Sequence, residues 1–127
     1  MENRIRRVTV EVRRLSSAEA EVWVVAEVEA VTPRTELRGR LVGPRCPGTS
    51  TIEVPYPLRP PPRPASGPHG TLAARVVIPE PNLWTAAMPF VYEGPLELWQ
   101  DGERCDTATV SVALKPAADE RPPCPQP

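Results

Sequence analysis

Lysine, histidine and phenylalanine occur once each in this 127-residue chain, at Lys115, His69 and Phe90. A single histidine, set in a proline-glycine loop, recruits no Ser-His-Asp arrangement. Cysteine is scarce as well: Cys46, Cys105 and Cys124 form an odd set without CxxC spacing, which argues against a zinc site or a disulfide framework. Reduced thiols are expected, and a bridge between Cys46 and Cys105, both near predicted strand ends, is the one pairing left open. The few glycines are scattered and compose no phosphate loop. No apolar run approaches the roughly 18 residues of a membrane helix, and the opening "MENRIRRVTVEVRR" has no signal-peptide core. The expectation is therefore a cytoplasmic protein with no membrane partner, no metal and no cofactor.

Charge excludes further classes. The formal net charge is −1, which does not suit a general polyanion binder. Arg4, Arg6, Arg7, Arg13 and Arg14 do crowd the N-terminal strand, yet no aromatics interleave them for base stacking, so nucleic acid is not an expected partner. Cross-strand pairing with the glutamates that follow is the simpler reading. Those glutamates, Glu19, Glu21, Glu27 and Glu29, fall on the polar face of one strand. They give no sign of the close carboxylate pair, one of raised pKa, that a retaining glycosidase needs.

Proline is abundant, with 19 residues where average usage is near 5%. Seven lie between Pro55 and Pro68, and five in the last twelve residues. Proline lacks the amide that a sheet ladder requires, so residues 55–70 are expected as a proline-rich loop or sheet edge, and 116–127 as a disordered tail. The PxxP spacing in "PLRPPPRP", Pro57 to Pro64, has the form of a ligand for SH3-type grooves, with a spacer as the plainer reading.

Elsewhere the period is two. Val8, Val10 and Val12 alternate with polar residues, and Ala20, Val22, Val24, Ala26 and Val28 share one face of the next run. That run is rich in Ala and Glu, but its alternation and its valines favour strand over helix. Further strands are predicted over "TELRGRLVG", over "TSTIEV" with Ile52 and Val54, over "TLAARVVI", over Phe90–Leu98 and over "TATVSVAL". "DGE" at Asp101–Glu103 signals a tight turn. Seven short strands within residues 1–115 predict an all-β fold, a two-sheet immunoglobulin-like β-sandwich of antiparallel strands.

The run "PNLWTAAMPFVYEGPLELWQDGERCD" carries more. Pro81, Leu83, Trp84, Thr85, Pro89 and Tyr92, followed by Asp101, Gly102 and Asp106, fit the pattern P-x-L-W-(S/T)-x-x-x-P-x-L-Y and then D-G-x-x-x-D. In this the chain resembles the immunoglobulin-like sandwich domain of the family 2 glycoside hydrolases, the β-galactosidases, β-glucuronidases and β-mannosidases. Val91 stands where that family has leucine. The resemblance extends over residues 4–115, and 78–115 is its diagnostic part. It implies that Trp84 caps an end of the sandwich and that Tyr92 fills the core while its hydroxyl bonds at the rim. The family's phenylalanine-glycine-x-arginine step into the catalytic barrel is replaced by Val112, Ala113, Leu114 and Lys115. Neither the barrel with its two glutamates nor the sugar-binding jelly roll has a counterpart here, so no catalytic residue carries over.

Trp23 and Trp99 stand apart, each predicted on the polar side of its strand. Together with Val25 they are expected to form an apolar patch of the kind that marks interfaces. The sequence thus predicts a non-catalytic structural or protein-interaction module, not an enzyme, whose partner is another protein or domain or a second copy. The alternatives are a carbohydrate-binding accessory domain, with indole stacking on sugar, or a separately encoded fragment of a glycoside hydrolase.

Overall fold

The computed structural model of the chain describes residues 3–60 and 70–115. His69, Cys124, the later half of the PxxP segment and the tail lie outside the described residues. Seven strands form: β1 (Ile5–Leu15), β2 (Glu19–Val28), β3 (Thr35–Arg45), β4 (Val54–Pro57), β5 (Thr71–Pro79), β6 (Val91–Gln100) and β7 (Glu103–Val112). They build two antiparallel sheets, β1-β2-β5 and β4-β3-β6-β7, in an immunoglobulin-like sandwich.

The core follows from the alternation. Val22, Val24, Val76 and Ile78 on one sheet meet Leu41, Tyr92, Leu96 and Val110 on the other and Leu114 just past β7, all essentially sealed from water. The two sheets must close on each other at their edges, and particular residues do it. On one side Arg59 leaves β4 and exchanges two backbone hydrogen bonds with Arg75 of β5, at 2.9 and 2.8 Å. On the other, the Ile5 N–H donates to Asp106 Oδ2 across 2.9 Å, joining β1 to β7.

One end is shut by polar groups. Asn3 is 1% exposed and Gln100 5%. Asn3 Nδ2 donates to the Ala30 carbonyl at 2.7 Å and to Gln100 Oε1 at 3.2 Å, while its Oδ1 accepts from the Ala30 and Arg4 amides. Thr35 Oγ1 donates to the same Gln100 oxygen at 2.7 Å. Every polar atom taken from water here finds a partner, which is the condition for burying it without a large penalty.

The expected strand over "TSTIEV" is displaced to Val54–Pro57, and Ile52 is 89% exposed. Chemistry of the turn explains the correction. The Thr49 N–H bonds the Cys46 carbonyl at 3.2 Å, closing a turn with Pro47 second and Gly48 third at φ 80°, the type II pattern. The chain therefore rejoins β3 only after this loop, and it does so inside the predicted proline loop. Pro55 and Pro57 are tolerated because β4 is an edge strand. The Cys46–Cys105 bridge is also ruled out: Cys46 follows the end of β3 that pairs with Val91, whereas the Cys105 thiol donates to the Leu98 carbonyl near the other end of β6. Both thiols are free.

Candidate functional site

On β2 the odd-numbered residues Glu21, Trp23 and Val25 turn away from the core. The Trp23 Nε1–H donates to Glu21 Oε2 at 2.8 Å, and Arg75 on β5, opposite Trp23 in register, reaches the same oxygen at 3.4 Å. From β1, the Arg13 guanidinium lies 4.0 Å over the indole. The hydrogen bond from Trp23 and then the nearby Arg75 hold the Glu21 carboxyl below its usual range, against the opposing pull of partial desolvation.

The other sheet repeats the device. The Trp99 Nε1–H donates to Glu97 Oε1 at 2.9 Å, Arg104 of β7 reaches Glu97 Oε2 at 3.5 Å, and Arg38 of β3 lies 4.0 Å over the ring. Glu97 is lowered in turn, first by the Trp99 hydrogen bond and then by Arg104. In both places a tryptophan two residues beyond a glutamate is hydrogen-bonded back to it, one arginine stacks on the indole and a second pairs with the carboxylate.

The predicted common patch does not exist. Trp23 lies on the β1-β2-β5 sheet and Trp99 on the β4-β3-β6-β7 sheet, each facing outward, so they occupy opposite faces of the sandwich. Val25 shares a face with Trp23 alone. Arg13 and Glu21 were read from sequence only as members of a basic strand and of a polar glutamate face, and Glu97 and Arg38 were not tied to Trp99. The signal for them was the repeated Glu-x-Trp, "EVW" and "ELW", on strands flanked by arginines.

The motif residues take the following places. Tyr92 is 1% exposed, and its hydroxyl accepts the Asn82 N–H at 3.0 Å. Leu83 packs against the core. The Trp84 N–H donates to the Leu114 carbonyl at 2.8 Å, and the Lys115 ammonium sits 4.7 Å from the Trp84 ring centre. Pro81 and Pro89, half-buried, bracket the loop that leads into β6. Asp101 and Gly102, at φ 55° and 81°, form the two-residue turn between β6 and β7, which requires positive φ at both positions. Asp106 accepts from the Ile5 and Thr107 amides, and these bonds lower its pKa.

The basic N-terminal strand pairs across to the glutamates, Arg7 with Glu27 at 3.8 Å. A hollow of about 440 Å³ at the Val91 end of the second sheet is lined by Arg45, Cys46, Glu53 and Glu93. Arg45 pairs with both carboxylates, at 3.0 and 3.2 Å, so cation and anions offset each other within it. Among the described residues no helix is long and apolar enough to cross a membrane.

No protein-family model matches this chain, and no curated protein sequence matches it. Solved structures do. A glycosyl hydrolase family 2 member from Bacteroides cellulosilyticus superposes with a TM-score of 0.61 at 20% identity, over 88% of this chain and 15% of that one. The β-glucuronidase of Bifidobacterium dentium, complexed with coumarin-3-O-glucuronide, gives 0.60 at 15% identity, covering 89% and 18%. The Bacteroides uniformis β-glucuronidase gives 0.54 at 14% identity, covering 89% and 14%. The chain therefore has the β-sandwich fold of one segment of these enzymes, as the sequence resemblance implied, and spans less than a fifth of each.

Proposed function

We propose that this chain is a non-catalytic β-sandwich module that works by contact with another protein or domain. The observation that carries this reading is the pair of braced tryptophan clusters. Trp and Arg are the residue types that dominate binding energy in protein interfaces, and here each is held in place by its own carboxylate before any partner arrives. A side chain already ordered loses little entropy on binding. The same bracing speaks against sugar stacking, because a guanidinium already occupies one face of each indole.

Titration of intrinsic tryptophan fluorescence with β-linked oligosaccharides tests the choice. No shift is expected in the folded protein. A saturable shift that Trp23→Ala or Trp99→Ala removes would replace this reading with a carbohydrate-binding accessory domain.

A second reading, a separately encoded piece of a family 2 glycoside hydrolase, is favoured by the fold likeness and by the small share of those enzymes that the chain covers. It requires a chain supplying the catalytic barrel. Co-expression with such a chain would then give a stable complex with glycosidase activity.

A further inference from the structure

A sandwich of two open sheets has four edges, and three of them carry features that discourage pairing. The outer side of β5 is met at its middle by Arg59, through an isolated bridge to Arg75, and the strand ends in Pro79. β4 is four residues long and carries Pro55 and Pro57. β1 is broken by two register shifts and lined with arginines. These are recognised defences against edge-to-edge pairing. β7 has none of them over Thr107–Val112, "TATVSV", which contains no charge and no proline and pairs with β6 without interruption.

The backbone fixes which groups are free. The Pro95 carbonyl points at Gly39 of β3, so Pro95 turns its hydrogen-bonding side away from β7. Thr109, its partner across the ladder, is then in a non-hydrogen-bonded position with respect to β6. The N–H and C=O of Thr109, and by alternation those of Thr107 and Ser111, project from the free edge. The Thr107 amide is already held by Asp106 Oδ1 at 2.8 Å, which confirms the direction and marks one end of the open stretch. Among the described residues, β7 has β6 as its one paired strand.

We propose that β7 pairs with β7 of a second copy of this chain, antiparallel about Thr109, joining two four-stranded sheets into one continuous sheet. In that register Thr109 faces Thr109 and Thr107 faces Ser111. The two Thr109 residues exchange two backbone hydrogen bonds, and each Ser111 amide donates to the Thr107 carbonyl of the other copy. The join is self-complementary, as a twofold interface must be. Exposed hydroxyls meet on the outer face, a favourable cross-strand pairing, and Ala108 meets Val110 on the inner one. Across the segment no charge meets a like charge, and a net charge of −1 sets up little repulsion between copies. This inference rests on the interaction reading and names the partner.

Sedimentation velocity of the full chain from micromolar to millimolar concentration is the test, with hydrogen exchange as a second readout. Wild type is expected to pass from the 13.9 kDa chain to twice that mass, with the Thr109 and Ser111 amides gaining protection as it does so. Thr109→Pro removes the outward amide while sparing the β6 ladder. Thr109→Lys and Thr109→Glu each set like charges face to face, and should weaken association by about tenfold or more. An equimolar mixture of those two variants should recover the dimer, which a merely structural role for Thr109 would not produce. A wild type that stays monomeric throughout, or a dimer indifferent to all three substitutions, overturns the pairing. So does a monomer with Thr109 and Ser111 already protected, since residues outside the described ones would then cover the edge. None of these failures touches the interaction reading itself, which the oligosaccharide titration decides.

Discussion

Replacing Asn3 by alanine should cost far more than its place before the first strand suggests. Its amide group makes four hydrogen bonds in one buried corner: Oδ1 accepts the Arg4 and Ala30 amides at 3.0 and 3.1 Å, and Nδ2 donates to the Ala30 carbonyl at 2.7 Å and to Gln100 Oε1 at 3.2 Å. Truncation strands those partners. A buried group left unpaired costs about 1–3 kcal/mol. Arg4 is exposed and Ala30 only half-buried, so water restores part of the loss, and Gln100 keeps Thr35 and Thr32. The net destabilisation is about 2–3 kcal/mol. For roughly a hundred ordered residues that lowers Tm by roughly 8–12 °C. Urea denaturation followed by tryptophan fluorescence gives the difference, with Thr9→Ala as an exposed control expected within about 0.5 kcal/mol of wild type. If Asn3→Ala also falls within that margin, the corner is not a structural lock and the reasoning fails.

Two other outcomes follow from single contacts. A Cβ at Gly94 would collide with the Arg40 carbonyl oxygen where β6 runs beside β3, so Gly94→Ala should destabilise by about 2 kcal/mol or more in the same urea experiment; a neutral result would mean that the strands can part there at little cost. Asp106, Glu21 and Glu97 all titrate lower in the folded chain than their usual 3.8 and 4.5, so folding releases protons and stability is complete above those values. It should fall as pH drops below about 4, and Asp106→Asn should flatten that slope; an acid limb unchanged in the variant would remove Asp106 from the account.

The faces of the strands were legible because alternation reports burial directly. Ala20 to Val28, Ala74 to Ile78 and Tyr92 to Leu98 turn inward at the positions that period two assigns. The hairpin turn was legible too, since Asp-Gly supplies two residues tolerant of positive φ. β4 was not, because an alternating apolar pair, Ile52 and Val54, looks like a strand while the pairing partner is remote and the Pro47-Gly48 turn delays the return. Gln100 and Thr35 were overlooked although their period places them inward beside Leu98 and Leu37. A polar residue at an inward position is itself the sign of a buried network.

The tryptophan patch failed for a reason that the fold contains. Alternation tells whether a side chain points in or out, but a sandwich has two outsides, and only topology says which. In the immunoglobulin arrangement the second and sixth strands belong to different sheets, so outward residues on them can never meet. Once Trp23 and Trp99 are separated, each needs local company, and "EVW" and "ELW" provide it: the glutamate two residues earlier lies on the same outer face and accepts the indole N–H. On each face the indole N–H and the carboxylate thereby satisfy each other, although on the Trp23 face the Arg75 Nε, buried, has no hydrogen-bond partner among the described residues. Backbone hydrogen-bonding capacity is open at the β7 edge, in Thr109 and Ser111, which is why association of two copies is expected to begin there and not at the tryptophan faces.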